Sequence, residues 1–534
     1  MSIVRYTASL DNTIVNAFQP NLTTRGTGAN CGQSDIIEVY SIYGHAPMAT
    51  ASATSGSQEL SRILIQFPIA DIIADRAAKK IPATGSVSFH LKLYNAETSK
   101  TVPRDFALAV FPVSQEWQEG LGLDLETYKD LTKGNIGSNW IKATKTTNWT
   151  SSAGAVGGSY LTGTSDPRFK QTFSTGLEDL EIDISPLVEH WIHDTIDNYG
   201  VGVMLSSSYE AYYSASNDAI ANPLYTGSII NNTGGATDSY YTKRFFGRGT
   251  QYFFKKPCIE ARWDSATRDD RGDFYYSSSL APAADNENTI YIYNYVRGKL
   301  QNIPAVGTTG SIMVSLYSGS STNAAPSGSK LLLCGGAYAV TGGYVSTGIY
   351  SASICTTASA TPLKTLYDVW WSGSHAAEGH GTQGIEFFTG SIKPKTHGAT
   401  TDVREPTYYI NISNLQNRYS PTETARFSLY IRNKNWNPTI YTKAKATPEH
   451  LPIVSASYRV FRVLDALEVL PHDTGSNFST GLSYDVSGNY FNFDMKLLDP
   501  GYEYGFKFAF YDDELKSWLE QDEMFKFRVV NHEY

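Results

Sequence analysis

Apolar side chains alternate with polar ones at every second position in each third of this 534-residue chain. Phe89, Leu91 and Leu93 show the pattern near the N-terminus, and the segment 502–510 places an aromatic ring at every second position near the C-terminus. Successive side chains of a β-strand point to opposite faces, so each segment has one apolar face that must be covered. The alternation therefore predicts sheets that pack on sheets.

The middle third carries the same alternation. Ile290, Ile292 and Val296 take one face of a predicted strand, and Tyr291, Tyr293 and Tyr295 take the other. The chain holds 36 Tyr, 24 Phe and 44 Gly but only 6 Met, a composition that favours many strands joined by turns. Ser487-Gly-Asn489 is expected to form the turn of a hairpin within residues 484–495.

Helical patterns are few and short. Residues 185–194 have apolar pairs four positions apart, with Ser185 as the expected cap and Pro186 in the first turn. Residues 69–80 form a second helical candidate. The sequence thus predicts an all-β protein with a few short helices.

Two changes of composition suggest where the domains meet. Residues 265–288 are polar, and residues 373–406 are rich in Gly, His, Thr and Pro. Boundaries placed there divide the chain into residues 1–265, 275–395 and 400–534. We expect each part to form a β-sandwich, and the short turns of the last part predict that it is self-sufficient.

The first of these parts resembles the DNRLRE-type jelly-roll β-sandwich, which is related to carbohydrate-binding modules. The resemblance covers about residues 55–265 and depends on five segments in a fixed order. These are Ser61–Pro68, Ser86–Tyr94, Trp117–Gly120 with Asn139, Trp140 and Trp149, Leu180–Trp191, and Asn198–Leu205. It implies a jelly-roll fold, in which Trp117-Gln-Glu-Gly120 forms a structural corner.

The last part resembles an immunoglobulin- or fibronectin-III-like sandwich. Leu498-Asp-Pro-Gly-Tyr-Glu-Tyr504 is similar to the Leu-x-Pro-Gly-x-x-Tyr corner of those domains, in which the tyrosine hydroxyl bonds back to the loop. The segments 436–440, 458–462 and 482–490 also resemble virion structural proteins of large tailed bacteriophages, especially marine phages with contractile tails.

This second resemblance implies a non-enzymatic virion component that acts by assembly, in the tail, neck or collar, baseplate or capsid decoration. Its partners would be other virion proteins and symmetry-related copies of itself, and it would be assembled in the host cytoplasm. The alternative is a carbohydrate-binding or adhesive module for glycans of the host surface. Because the N-terminus has no apolar signal core, and an adhesin must be exported, the sequence favours the virion component.

The assembly surface is predicted on the longest polar, tyrosine-rich segment, residues 206–241. Tyrosine, serine, glycine and asparagine provide contact area at low entropic cost. The candidate contact residues are Tyr209, Tyr212, Tyr213, Tyr225, Tyr240 and Tyr241.

The net charge and the cysteines of the chain restrict the kinds of partner and site that are expected. A net charge of −9 gives no electrostatic reason to bind DNA or an anionic membrane, so neither partner is expected. The basic and aromatic segment 243–256 offers the pattern of a single-strand binder, but a strand with alternating surface lysines is the favoured interpretation. Cys31, Cys258, Cys334 and Cys355 lack metal-ligand spacing and are expected to be free thiols.

Three further groups of residues have the side chains of a possible chemical site. His375, Glu378 and His380 lie in a glycine-rich segment rather than on a helix, which argues against zinc. Arg268–Asp273 is interpreted as a solvated turn, with calcium binding by Asp264, Asp269, Asp270 and Asp273 as the alternative. Glu119 and Asp124 beside Trp117 would suit a glycosidase subsite, but no complete constellation is present. No catalytic residue, metal or cofactor is therefore predicted.

Overall fold

The computed structural model describes fifteen stretches of the chain, and every structural statement below concerns them. They are residues 2–17, 28–44, 57–98, 101–123, 136–150, 157–212, 234–279, 286–320, 322, 325–372, 384–396, 408–434, 436, 450–512 and 515–531.

The first domain contains eleven strands and the two α-helices of the described residues. They are β1 (Ile3–Thr7), β2 (Leu10–Asn16), β3 (Ile36–Gly44), β4 (Ser57–Gln66), α1 (Ile69–Ala77), β5 (Ser88–Leu93), β6 (Phe106–Pro112), β7 (Phe169–Phe173), β8 (Leu180–Asp183), α2 (Ser185–Ile192), β9 (Val201–Leu205), β10 (Tyr240–Phe246) and β11 (Cys258–Arg262). One sheet has the order β1-β11-β5-β8, and the other has the order β10-β3-β4-β9-β6-β7 with β2 also paired to β4.

The main core of this domain lies between its two sheets. Phe89, Leu91 and Leu93 of β5 face it, as their alternation predicts, and Ile63 and Ile65 of β4 face it from the opposite sheet. The other face of β4 is buried as well, under the segment that carries three tryptophans. This second core contains Ile14, Leu60, Leu64, Val113, Trp117, Trp140, Ala143 and Trp149.

The middle domain contains nine strands. They are β12 (Asn288–Tyr293), β13 (Tyr295–Val296), β14 (Lys299–Leu300), β15 (Ile312–Gly319), β16 (Pro326–Lys330), β17 (Val340–Ser346), β18 (Ile349–Ile354), β19 (Leu366–Trp371) and β20 (Glu386–Ile392). Seven form a sheet in the order β12-β18-β17-β15-β19-β20 with β16 beside β15, and β13 pairs with β14. Strands from both ends of the sheet share one core, which includes Ile290 and Trp370.

One detail of the predicted alternation is wrong in this domain. β12 ends at Tyr293, and Tyr295 and Val296 belong instead to the separate β13–β14 hairpin. Because the strand is interrupted at Asn294 and the chain reverses at Arg297 and Gly298, Val296 does not share the buried face of Ile290 and Ile292 but lies exposed.

The third domain contains ten strands. They are β21 (Tyr408–Ile412), β22 (Arg418–Tyr419), β23 (Thr424–Asn433), β24 (Ala456–Arg462), β25 (Glu468–Leu470), β26 (Ser483–Asp485), β27 (Gly488–Asp494), β28 (Glu503–Asp512), β29 (Ser517–Glu520) and β30 (Phe525–Val529). The sheet β21-β23-β27-β26 packs against the sheet β22-β30-β28-β24-β25, in which β29 also pairs with β28.

Aromatic rings fill the core between these sheets. Tyr504, Phe506, Phe508 and Phe510 of β28 face inward as predicted, and Phe506 and Phe527 stack at 4.7 Å. The predicted tyrosine corner is confirmed, because Tyr504 Oη donates to the carbonyl of Asp499 at 2.7 Å. The predicted hairpin is also confirmed, with β26 paired to β27 and Gly488 at a φ of 117°.

The architecture confirms the predicted fold class of an all-β chain with tandem β-sandwich domains and few helices. The expected cap of α2 is wrong, since Ser185 lies inside the helix rather than before it. Its hydroxyl instead donates to Asp183 at 2.5 Å and accepts the N–H of Phe89 at 2.7 Å. The hydroxyl group of Ser185 therefore links α2 to β5.

The prediction of four free thiols is also wrong. Cys334 and Cys355 form a disulfide across 21 residues, with their Cα atoms 5.3 Å apart. The two residues follow different strands, β16 and β18, so their spacing in the sequence gives no sign that they meet. Cys31 and Cys258 are both buried, and Cys258 has a free thiol, as predicted.

Candidate functional site

The polar segment between the first and middle domains runs along an edge strand of the third domain. Thr267 donates its N–H to Ser483 Oγ at 2.9 Å, and Tyr484 donates its N–H to the carbonyl of Thr267 at 3.0 Å. Asp269 in turn donates its N–H to the carbonyl of Tyr484 at 3.1 Å. The segment thus extends the sheet beyond β26 by parallel pairing.

Asp270 then joins the third domain to the middle one. Its Oδ1 accepts the hydroxyl of Tyr484 at 2.5 Å, and its Oδ2 accepts the N–H of Thr289 at the start of β12 at 2.7 Å. A single carboxylate therefore holds a residue of each domain.

Arg271 completes the connection through a buried ion pair. Its Nη2 lies 2.6 Å from Asp368 Oδ2, and its Nη1 lies 3.5 Å from Asp269 Oδ2. Asp368 is 0% exposed and also accepts the indole N–H of Trp370 at 2.8 Å. We call Asp269, Asp270, Arg271, Asp368 and Tyr484 the linker hub.

Burial has an electrostatic consequence at the hub. Asp269 is 2% exposed, and the loss of water around its carboxylate raises its pKa to about 6, despite the attraction of Arg271. The nearby charge of Asp368 acts in the same direction as burial.

The prediction of a solvated turn at Arg268–Asp273 is therefore wrong, because Asp269 is buried and the side chains of Asp270 and Arg271 bind residues of the third and middle domains. The four carboxylates considered for calcium are also directed to separate partners. Asp264 pairs with Arg268 at 2.9 Å, and Asp273 pairs with Lys395. Within the part of the chain that the structure describes, no three His, Cys, Asp or Glu residues converge on a possible metal position.

The first and third domains meet through a different kind of contact. Ile3 and Phe254 of the first domain belong to the hydrophobic core of the third, and Phe254 packs edge-on against Tyr504. Arg5 Nη2 donates to the carbonyl of Val469 at 2.9 Å. The core of the third domain thus includes two side chains of the first domain, and its self-sufficiency stays a prediction.

Arg5 also belongs to a buried charge cluster on β1 and β11. Its Nε lies 2.6 Å from Glu260, which Arg262 also contacts at 2.6 Å. Although burial opposes ionisation of Glu260, the cations Arg5, Lys92 and Arg262 hold its pKa well below the usual range.

A cleft of about 850 Å³ lies where the three domains meet. We call it the three-domain cleft. The first domain contributes the turn after α1 and Trp263, the middle domain contributes rings from β12, β13 and β17, and the third contributes β27 and its neighbours. Its principal lining residues are Arg76, Lys79, Lys80, Trp263, Tyr293, Tyr295, Tyr344, Arg426 and Tyr490.

Cations contact rings at two places around this cleft. Lys79 Nζ lies 5.3 Å from the ring centre of Tyr344, across the gap between the first and middle domains. The guanidinium of Arg426 lies 3.6 Å from the ring centre of Tyr490. No sequence motif marks this site, although two of the alternating tyrosines at 291–295, Tyr293 and Tyr295, line it.

The candidate assembly tyrosines have different environments. Tyr209 and Tyr240 meet edge to face at 5.2 Å and pack against the core of the first domain. Tyr212 is half-buried and donates its N–H to the carbonyl of Ala236 at 2.7 Å, whereas Tyr241 is 58% exposed. Tyr213 and Tyr225 lie outside the described residues. A role of these tyrosines in assembly stays a prediction.

The basic and aromatic segment 243–256 does not form the expected strand of surface lysines. Lys243 points inward, is 2% exposed, and donates to Asn95 Oδ1 at 2.6 Å and to the carbonyls of Gly176 and Glu178. Burial lowers its pKa to about 8. Arg244 pairs with Glu38 on the neighbouring strand.

Glu119 forms structural contacts. Both of its oxygens accept from Arg248 Nη2, at 2.8 and 2.9 Å, and Oε1 also accepts the N–H of Asp11. Trp117 donates its indole N–H to the carbonyl of Tyr199 at 2.9 Å. Asp124, His375, Glu378 and His380 lie outside the described residues.

Neither α1 nor α2, the α-helices of the described residues, has the length and apolar character needed to cross a membrane.

Comparison with known proteins gives no family for this chain. No family model matches it, and no curated protein matches it. Among solved structures it is similar to trypsin-activated alpha-2-macroglobulin from Escherichia coli, at 9% identity and a TM-score of 0.15. The match covers 82% of this chain and 29% of that one. A similarity at this level carries no functional argument.

Proposed function

We propose that the protein is a bacteriophage virion structural protein that acts by protein–protein assembly, in the tail, neck or collar, baseplate or capsid decoration. The observation that supports this most is the way the linker hub and the shared core of the first and third domains join three domains into one unit. A part that is repeated by symmetry must present its surfaces at fixed angles. Domains that are already fixed lose less conformational freedom when they assemble.

The tyrosine-rich segment 206–241 is the proposed docking element. Its two ends are held together, because Ala211 pairs with Ala236 and the N–H of Ala236 is bonded to the carbonyl of Glu210 at 2.9 Å. The residues between these anchors can therefore be deleted without separating the two anchors. Removal of residues 213–233 and closure with a short glycine linker leaves both anchors in place.

The test is incorporation into particles. A phage defective in this chain is complemented with wild-type protein or with the deletion variant, and gradient-purified particles are analysed by quantitative mass spectrometry. We expect wild-type protein at a copy number set by the particle symmetry, and we expect the deletion variant to fold but to be absent. Absence of the wild-type chain from purified particles would overturn the proposal.

A surface variant of the third domain tests better than a truncation whether the chain docks through its first or its third domain. Removal of residues 400–534 would uncover Ile3 and Phe254, so the remainder would lose core contacts as well as a domain. Leu464 is 77% exposed on the third domain, and Leu464→Asp should leave the fold intact. If this variant fails to incorporate while the loop deletion incorporates normally, docking occurs through the third domain.

Binding of a host-surface glycan is the second candidate function. The observation that favours it is the three-domain cleft, whose lining combines aromatic rings with hydroxyl groups.

A further inference from the structure

We infer that the three-domain cleft binds an acidic oligosaccharide. This inference deepens the second candidate function and does not depend on the assembly proposal. It is carried by the size of the cleft, its lining, and the position of one lysine.

The size of the cleft suits a small or extended ligand. A volume of about 850 Å³ falls within the range of about 300–1,000 Å³ that is typical of small-molecule sites. A folded protein domain would not enter it, whereas a few sugar rings would.

The lining matches the two-sided chemistry of a sugar. Tyr295 and Tyr344 contribute rings, and the faces of such rings are electron-rich and attract the polarised C–H groups of a sugar face. Tyr295 is 58% exposed, which leaves its ring available. Hydroxyl groups that can bond to the rim of the sugar come from Ser265, Thr267, Ser346 and Thr347.

The charge of the lining indicates that the ligand is acidic. Four cations line the cleft, against the single carboxylate of Asp264. Three of these cations are already paired with Glu189, Asp75 and Asp485. Among the described residues, Lys79 is the lining cation with no carboxylate at ion-pair distance. It can therefore meet a carboxylate or sulfate of the ligand.

Lys79 lies at the turn that ends α1. Its φ of 57° is in the left-handed region, in which helices commonly stop. A lysine at this turn places its ammonium group across the gap toward Tyr344.

The test is titration of the full chain with defined oligosaccharides, followed by calorimetry and NMR. The probes are oligogalacturonate, alginate, hyaluronan and carrageenan oligomers, a carboxyl-reduced oligogalacturonate, and poly-glutamate. We expect at least one acidic oligosaccharide to bind, and we expect the neutral, carboxyl-reduced form of a bound uronate to bind about tenfold more weakly.

Two variants and two matched controls locate the site. Tyr295→Ala and Lys79→Gln should each weaken binding about tenfold. Tyr252→Ala removes a 49% exposed tyrosine of the first domain that does not line the cleft, and Lys170→Gln removes an exposed lysine of β7. Neither control should change binding.

Three results would overturn the inference. The first is that no acidic oligosaccharide binds at millimolar concentration. The second is that poly-glutamate competes with the sugar and binds as tightly as the sugar does. The third is that the control variants lose as much sugar binding as Tyr295→Ala and Lys79→Gln do. Incorporation of Tyr295→Ala into particles tests assembly separately, and we expect it to be unchanged.

Discussion

The third domain is joined to its two neighbours by contacts of opposite character. With the first domain it shares an apolar core, which Ile3 and Phe254 enter. With the middle domain the connection is made by the linker hub, in which Arg271 and Asp368 form a buried ion pair. Apolar burial is non-directional, so side chains that enter a core are expected to unfold together with that core. A buried ion pair stabilises the folded state only while both of its partners are present. We therefore expect the first and third domains to unfold together and the middle domain to be separable.

The largest effect should come from breaking the ion pair on one side. Arg271→Ala leaves Asp368 buried without its cation, and loss of one partner of a buried pair typically costs about 3–5 kcal/mol. Urea denaturation followed by tryptophan fluorescence should show the middle domain released at lower denaturant.

The matched control is Arg268→Ala on the same linker. Arg268 pairs with Asp264 at the surface, so its removal should cost at most about 1 kcal/mol. Equal effects of the two variants would mean that the hub does not hold the middle domain.

Truncation of the apolar contact should have the next largest effect. Ile3→Ala removes a buried side chain from the core of the third domain, and such substitutions cost about 2–5 kcal/mol. Because the two domains share that core, the unfolding midpoints of both should fall together. If only the first domain is destabilised, as judged by proteolysis and mass spectrometry, the shared core is not a cooperative unit.

The hub should also respond to pH. The pKa of Asp269 is raised from 3.8 to about 6 in the folded protein, so the folded state binds its proton more tightly than the unfolded state does. Its stabilising contribution is complete below about pH 3.8 and is lost as the pH rises through 6. From pH 4 to 7 this loss amounts to about 1–3 kcal/mol.

Asp269→Asn isolates that contribution. The free energy of unfolding of wild-type protein should fall more steeply between pH 4 and 6.5 than that of the variant. Parallel curves for the two proteins would show that Asp269 does not titrate in this range.

The smallest expected effect belongs to the tyrosine corner. Tyr504→Phe removes the bond from its hydroxyl to Asp499 and keeps the ring, so it should cost about 0.5–1.5 kcal/mol. This variant should lower the stability of the first and third domains together and leave the middle domain unchanged. Calorimetry that resolves two transitions would check this.

The elements could be predicted from the sequence because strand alternation and turn residues are local. β5, β28, the hairpin at Gly488 and the corner at Tyr504 all follow from patterns within about ten residues. In contrast, Arg271 and Asp368 are far apart in the sequence. In the sequence alone, a polar segment whose residues pair across domains cannot be distinguished from a polar segment that forms a solvated loop. The burial of Lys243 has no sequence signal for the same reason, because its partners are two backbone carbonyls and a distant asparagine.

The three-domain cleft could not be predicted either, since no single domain forms it. Tyr295, Lys79 and Arg426 come together only after three separate folds have docked. The docked arrangement depends on the linker hub, so the site is a consequence of contacts that the sequence does not reveal.

Native-state hydrogen exchange of the wild-type chain tests this account most directly. Amides of β5 in the first domain and β28 in the third should exchange with the same opening free energy and the same dependence on denaturant. Amides of β15 in the middle domain should open at a lower free energy. Different opening free energies for β5 and β28, with β15 matching one of them, would contradict the account.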